Sequence, residues 1–472
     1  MSAYKKLVKN SGIFAIANLG SKLMSILLVP FYTYILTTEQ YGEVDIFITT
    51  ISLLLPVITL NIFDATLRFS VKSHHNKKAI FTSSILIVLA GNLAFLGLIL
   101  ILLVLANTLI NNEYIILFYI VILLQSINST LAQFARGIGR VKSFALNGLI
   151  STFATLTLNI ILLSKFNMGV RGYFISIVVA NIVCNVYLLV SNRLWKYYDI
   201  KQYKLDLVKE MLTYSTPLIP NSLMWWIINA SDRYIITLFL GIGANGIYSV
   251  ANKIPTVLNL LNSIFSQAWQ LSAIEEGESK DKSEFYTNVF KSFSTIMLMG
   301  TSAILIIVKP VVEIMLSGEF GESWRYVSFL LLAVVFSSFS TFLGTNYIAM
   351  KKTKGVFKTT VIGAVVNLIL NIILIPTIGI NGATIATMIS YLSVWLIRIY
   401  DTKEFVNIKF DIKKIVMTLF IIINQIIILY YFDNISNILI QVVFFIINIF
   451  INRNVILEMI IDIIKVLKKL KR

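Results

Sequence analysis

Six ionisable side chains stand inside stretches of sequence that are otherwise apolar: Lys22, Asp64, Arg68, Asp232, Arg233 and Lys253. A charge near the centre of a bilayer costs roughly 2.5–3.5 kcal/mol on insertion scales, so each is a functional expectation. Asp64 and Arg68 are one helical turn apart and share a face, which suits a local ion pair. The same spacing suits an arginine that reaches for the interface. Asp232 adjoins Arg233, and Lys253 follows at a similar depth, so two cations there face one anion. Lys22 has no acidic partner in its own stretch. Four cations against two anions leave net positive charge, the chemistry that captures a phosphate or diphosphate through charge-assisted hydrogen bonds. Pairs that merely hold helices together are the alternative for the same residues.

Uncharged groups surround these positions. Asn18, Asn61, Asn229 and Asn252, with Asn262, Gln267 and Gln270, can read sugar hydroxyls or bind helix to helix. Trp225 and Trp226 offer faces on which a sugar ring stacks. Prolines at 30, 56, 217, 220 and 255 free backbone carbonyls within these stretches, as packing kinks or as hinges. Other chemistries are excluded. His74 and His75 lie in a basic loop without carboxylates at ligand spacing, so no metal site is expected there. There is no GxxxxGK[ST], GxSxG or HExxH. Cys184 is the single cysteine, which rules out an internal disulfide and reads as a buried, inert thiol. No catalytic residue, cofactor or metal is expected, and the chain is not read as an enzyme.

The elements that must position these groups follow from composition. Of 472 residues 57% are apolar and 13% charged, against about 25% charged in an average soluble domain. Apolar runs long enough to cross a bilayer recur from end to end, which makes this an all-α polytopic membrane protein. Fourteen spans are placed near 11–36, 44–70, 80–106, 115–135, 145–164, 172–192, 213–239, 246–270, 286–308, 326–350, 357–375, 381–399, 412–432 and 435–452. The first is too long for a signal-peptide core and reads as an uncleaved span. The longest breaks, near 193–212 and 271–285, are polar and too small to form a core.

The net charge of +17 would suggest nucleic acid in a soluble protein. Its distribution gives another meaning. With the N terminus inside, only Lys165, Arg171, Lys309 and Arg325 fall in outer loops, and four cations fall within spans. The remaining 32 of the 40 Lys and Arg gather on the inner side, so both termini are expected in the cytoplasm. No nucleic-acid partner is expected. Glu458 to Arg472 reads as a basic amphipathic helix on anionic headgroups.

The sequence also repeats at a period near 205–215 residues. Leu36-TTEQY-Gly42 is matched by Leu240-GIGAN-Gly246, and Leu158-Asn-Ile-Ile-Leu162 recurs as Leu370-Asn-Ile-Ile-Leu374. Each copy of the second motif leads into Gly-x-x-Gly, at Gly169 to Gly172 and Gly379 to Gly382. Six spans separate the copies, so the repeats are parallel, and two six-helix lobes with a site near mid-membrane follow. The expected organisation is an N-lobe over 1–205, a C-lobe over 206–405, two extra helices over 406–455 and a basic cytoplasmic tail over 456–472.

The segments Tyr214-Ser-Thr-Pro217-Leu-Ile-Pro220, Asn229-Ala-Ser-Asp232-Arg233 and Asn245-Gly246-Ile-Tyr248-Ser-Val-Ala-Asn252-Lys253 resemble the central signature of the bacterial oligosaccharide (polysaccharide repeat-unit) flippases. These belong to the multidrug/oligosaccharidyl-lipid/polysaccharide exporter superfamily. Glu39-Gln-Tyr41-Gly42 and Arg68 match as well, and the likeness runs over 1–455. The resemblance implies movement of an undecaprenyl-diphosphate-linked oligosaccharide, for O-antigen, capsule or another surface polysaccharide, from the cytoplasmic to the outer leaflet of the bacterial cell membrane. It implies a central cationic cavity of Lys22, Arg68, Arg233 and Lys253, with Asp64 and Asp232 for ion coupling or charge balance. Sugar contacts are expected from Asn18, Asn61, Trp225, Asn229 and Asn252. Implied partners are the lipid-linked substrate, membrane lipids, a polysaccharide polymerase and glycosyltransferases. Alternatives are a lipid II flippase or a cation-coupled multidrug exporter of the same superfamily, and, further off, a membrane polymerase or ligase. The cationic excess argues against the exporter, and short outer loops argue against the polymerase.

Overall fold

The structure, a computed structural model, describes residues 20, 22, 24–72, 76–106, 112–275, 282–349, 353–404, 406–432 and 435–470. No strand occurs among them, and every predicted span is met by a helix or a pair of helices. Eleven of these helices are long and apolar enough to cross a membrane. Without water in the hydrocarbon, only a chain that satisfies its own backbone groups can span it. Asn18, His74 and His75, and residues 276–281 of the loop 271–285, lie outside the described residues.

Two compact units divide the chain, Met1–Trp226 and Ile227–Arg472. The first holds α1 (Val29–Ile35), α2 (Thr38–Ile58), α3 (Ile62–Lys72), α4 (Lys77–Ala106), α5 (Asn112–Gly137), α6 (Val141–Asn159), α7 (Gly169–Asn192), α8 (Leu205–Ser215) and the start of α9 (Ile219–Leu240). A capping box starts α2, with Thr37 Oγ1 accepting from Gln40 N and Gln40 Oε1 accepting from Thr37 N, both at 3.2 Å. The expected single span 44–70 is in fact α2 and α3, separated where Leu60 and Asn61 adopt left-handed φ of 51° and 54°. Asn61 tolerates that conformation through its short polar side chain, whereas Leu60 is strained by it. Nor is 193–212 merely a polar break. Its helix α8 buries Leu207 and Met211 against Ile62, Ala65, Phe69 and Ile80.

The interior of this unit is joined by amides. Asn128 donates to Asn147 at 3.4 Å and to Asn185 at 3.0 Å, and Asn185 donates to the Leu124 carbonyl at 3.0 Å. Lipid is as apolar as leucine, so such pairs and close packing hold helices together where burial of apolar surface cannot. Cys184 is buried against the Asn147 carbonyl.

The second unit holds the rest of α9, then α10 (Ile242–Ala251), α11 (Pro255–Glu275), α12 (Lys282–Met315), α13 (Val327–Ala349), α14 (Thr353–Ile378), α15 (Ile380–Asp401), α16 (Ile412–Tyr431) and α17 (Ile435–Leu470). The expected span 246–270 breaks at Asn252–Ile254, just before Pro255, which has no N–H to continue α10. The last two helices are fastened to α12 by buried polar groups. Ser302 donates to Gln425 at 2.7 Å, Gln441 donates to the Gln425 carbonyl at 2.7 Å, and Asn448 donates to Ser302 at 3.2 Å. Helix α17 runs on without a break through the segment expected as a separate tail.

The repeated motifs have matching structural duties. Asn159 and Asn371 are both fully buried. Asn159 donates to Tyr32 and accepts from Ser176 at 2.7 and 2.6 Å, and Asn371 donates to Asn367 at 3.0 Å. Gly169 and Gly379 carry positive φ of 53° and 66° at the turns that follow. A methyl group at Gly382 would lie 2.4 Å from the Leu374 carbonyl, and one at Gly172 would lie 2.8 Å from the Met168 Cβ, which the backbone holds in place. Gly382→Ala and Gly172→Ala are therefore each expected to cost about 1–3 kcal/mol. Thermal unfolding of the detergent-solubilised variants checks this; unchanged melting temperatures would refute it.

Candidate functional site

In the first unit, Arg68 projects from α3 to the surface, and its guanidinium carbon lies 4.4 Å from the centroid of the Tyr214 ring. The guanidinium is a weakly hydrated plane that stacks well on an aromatic face. Among the described residues it forms no ion pair with Asp64, so the local pair that the spacing allowed is not made. Asp64 is half-buried beside the α2–α3 break, where its N–H donates to the Asn61 carbonyl at 3.1 Å. Asn61 is buried and its amide approaches Ser222 at 3.5 Å. Trp226 donates to the Thr49 carbonyl at 3.1 Å and to Ser52 at 3.2 Å. Trp225 is half-buried and Lys22 is exposed.

In the second unit, α9 carries Asp232, 2% exposed, into the packed interior. Four groups converge on that carboxylate. The Tyr248 hydroxyl of α10 donates to Oδ2, and the Thr387 hydroxyl of α15 donates to the same oxygen at 3.5 Å. Oδ1 accepts the Arg233 N–H at 2.9 Å and lies 3.4 Å from Arg233 Nη1. Arg233 also donates to the Asn229 carbonyl at 2.8 Å. Burying a carboxylate is costly unless partners replace its water, and the sequence supplies them from three helices.

Thr387 continues the chain of contacts. It accepts from Asn367 at 3.3 Å, and the Asn367 side-chain oxygen accepts from Ser231 at 3.3 Å and from Asn371 at 3.0 Å. The Asn of the repeated motif is thus linked through α14 and α15 to Asp232. Asp232 and Thr387 bound a cavity whose walls also include Asn229, Tyr248, Asn252, Ser337 and Tyr391. Tyr391 donates to Asn229 at 2.7 Å.

The structure thereby brings together three of the sequence-predicted residues, Asp232, Asn229 and Asn252, in one cavity, with Arg233 alongside. Lys253 is half-buried in the break between α10 and α11 and is not part of the cavity wall. Tyr248, though within the quoted signature, was given no role, and Ser337, Thr387 and Tyr391 were missed, because a hydroxyl in an apolar run does not say which way it faces. A cavity with one carboxylate and many neutral oxygens suits a hard cation, a proton, or the hydroxyls of a sugar.

Sequence reasoning also misplaced Arg398, grouped with the loop cations. It is 2% exposed within the unit, donating to the Ser340 carbonyl at 2.8 Å, to Thr359 at 3.0 Å and to Thr360 at 3.4 Å. The hydroxyls at 359 and 360 are the signal that could have found it.

Comparison with known proteins adds to this geometry. A family model described as "Polysaccharide biosynthesis protein" matches residues 7–270. "Probable low-salt glycan biosynthesis flippase Agl15" of Haloferax volcanii is 24% identical over 222 residues, 46% of this chain and 47% of that protein. An uncharacterized membrane protein of Methanocaldococcus jannaschii is 25% identical over 291 residues, 58% of this chain and 68% of its own. The match thus spans about half the length of the first of these relatives. Among solved structures, a lipid II flippase in an inward closed conformation aligns with a TM-score of 0.70 at 14% identity, covering 95% of this chain and 99% of its own. An inward-facing multidrug transporter of the MATE family aligns with a TM-score of 0.60 at 14% identity, covering 86% and 96%. At such identities the likeness is one of fold.

Proposed function

The chain belongs to the polysaccharide biosynthesis protein family, and from that premise we propose that it is a flippase for lipid-linked glycans. Its substrate is an undecaprenyl-diphosphate-linked oligosaccharide, moved from the cytoplasmic to the outer leaflet of a bacterial cell membrane by alternating access, with no covalent chemistry. Both termini lie in the cytoplasm. Lys22, Arg68, Arg233 and Lys253 hold the diphosphate, while amides at Asn18, Asn61, Asn229 and Asn252 and the face of Trp225 take sugar groups. The observation that carries this is Arg68. Its charge is held out on Tyr214 instead of being neutralised by Asp64, as suits a cation kept for an anionic ligand. The prenyl chain stays in lipid, and an inside-negative potential, worth about 2.3 kcal/mol per charge per 100 mV, favours outward passage of the anion.

The Asp232 cavity supports a coupling ion as part of the same cycle. Its carboxylate is the sole anion in the wall among the described residues, so proton or sodium exchange there resets the carrier; Asp64 is the second acidic group available for coupling or charge balance. A polysaccharide polymerase and glycosyltransferases then act on either side of the step.

The test is leaflet accessibility of a labelled lipid-linked oligosaccharide in vesicles reconstituted with the full chain. Protein-dependent transfer is expected, reduced at least about tenfold in the Arg68→Ala/Arg233→Ala variant, since losing one charge-assisted contact costs about 1.5–3 kcal/mol. Absence of transfer by the unaltered protein sinks the function. Full transfer by the double variant sinks the site.

A further inference from the structure

A second cavity in the Ile227–Arg472 unit belongs to no part of the proposed transport. It opens to the surface among the first turns of α12, the first turns of α16, and α17 near Asn452. Three cations, Lys291, Lys409 and Lys414, and one carboxylate, Asp411, line it, with Thr295, Thr418 and Asn452 also in its wall. Asn452 lies 17 residues along α17 from Ile435, a rise of about 26 Å, close to the thickness of the hydrocarbon core. The cavity therefore sits at headgroup depth, at the end of these helices that is rich in lysine.

The polar groups are arranged for an anion. Thr418 is 1% exposed and accepts from Asn452 Nδ2 at 3.2 Å, while its own hydroxyl proton is spent on no acceptor among the described residues. Lys409 makes no ion pair among them either; its backbone N–H donates to Thr287 at 3.0 Å, which fixes the strand of chain entering α16. Lys414 faces Asp411 at 3.7 Å, and Lys291 faces Glu458 at 3.2 Å. Both carboxylates are well exposed, at 45% and 63%, and pairs of that kind contribute little. A phosphate oxygen can replace either carboxylate at small cost.

We infer that this pocket binds a phosphate-bearing anionic headgroup, with Lys291, Lys409 and Lys414 as its charge partners and Thr418 as a buried hydroxyl donor. A basic pocket between spans at the lysine-rich interface has the chemistry of such recognition. The same chemistry accepts free phosphate, so the test separates the two sources.

The full chain, purified in neutral detergent, is titrated with dioctanoyl phosphatidylglycerol, dioctanoyl phosphatidylcholine and inorganic phosphate, and bound ligand is counted by native mass spectrometry. Phosphatidylglycerol is expected to bind at least about tenfold more tightly than phosphatidylcholine, and K291Q/K409Q/K414Q to lose on the order of a hundredfold of that affinity. K201Q/K204Q/K209Q, which removes three exposed lysines of the first unit, is expected to bind as the unaltered protein does. Phosphate binding with the same lysine dependence supports the pocket with a free anion as occupant, and binding of the lipid alone supports the headgroup. Equal binding of the two lipids, or equal losses in both triple variants, overturns the inference. Should the first triple variant fail to fold, E458Q decides: releasing Lys291 from its carboxylate must tighten phosphatidylglycerol binding, and an unchanged or weaker affinity refutes the site. None of these readouts depends on flipping.

Discussion

Replacement of Asp232 by asparagine is expected to lower ion-gradient-driven transport on the order of a hundredfold, equivalent to about 2.7 kcal/mol, while gradient-independent exchange of substrate persists. The amide keeps the shape of the side chain and a carbonyl oxygen for the Tyr248 and Thr387 hydroxyls. It carries no charge, so it neither exchanges a proton nor holds a cation among the neutral oxygens of the cavity. Asparagine and alanine both leave Arg233, whose side chain is 15% exposed, without the carboxylate 3.4 Å away, and breaking a buried pair from one side typically costs about 3–5 kcal/mol. Alanine also removes the oxygen that accepts from the Tyr248 and Thr387 hydroxyls and leaves a cavity. Both variants should therefore lower the melting temperature as well as the rate, Asp232→Ala further than Asp232→Asn. Vesicle transport with and without an imposed proton or sodium gradient separates these outcomes. Full gradient-driven transport by the asparagine variant would remove Asp232 from any coupling role.

The second large effect concerns Arg398. Its guanidinium is the common partner of α13, through the Ser340 carbonyl, and of α14, through Thr359 and Thr360. Arg398→Ala is expected to cost about 3–5 kcal/mol, combining a cavity with the loss of three hydrogen bonds donated by a charged group. Arg398→Met should recover part of that loss by refilling the space, because an apolar side chain of similar volume often replaces a buried charge without penalty. Gly344 belongs to the same arrangement: a methyl there would lie 2.7 Å from Arg398 Nη1, so Gly344→Ala should destabilise only while the arginine is present. Thermal unfolding of the single variants and of Gly344→Ala in the Arg398→Met background measures that coupling. Additive losses would show that the two residues act separately.

Much of the architecture was legible because the bilayer is a demanding solvent. A run of about 20 apolar residues has few fates other than a spanning helix, and all fourteen predicted runs contain helices. The two copies of Leu-Asn-Ile-Ile-Leu each bury their Asn, and a glycine soon after each, Gly172 and Gly382, has no room for a methyl group. What misled was the assumption of unbroken spans. Pro56 was read as a kink or a hinge within one span, yet its carbonyl accepts from Asn61 N at 2.9 Å in a left-handed reversal that sequence does not announce. Arg398 was taken as a loop cation because it stands at the end of its apolar run.

Facing was harder to read than spanning. In a soluble helix the apolar stripe marks the core, but here lipid and core are equally apolar and the stripe vanishes. The most apolar span, Lys77–Leu105, has only 17% of its central window buried, while Gly318–Tyr347 has 78%. Spans, their tally, the uneven loop charge and the presence of Asp232 and Arg233 in an apolar helix were determined by the sequence alone, since each is a property of a local stretch. Which groups satisfy that aspartate was decided only by tertiary structure. Its hydroxyl donors come from Tyr248, 16 residues away, and Thr387, 155 residues away, and helical periodicity names a face without naming the neighbour across from it.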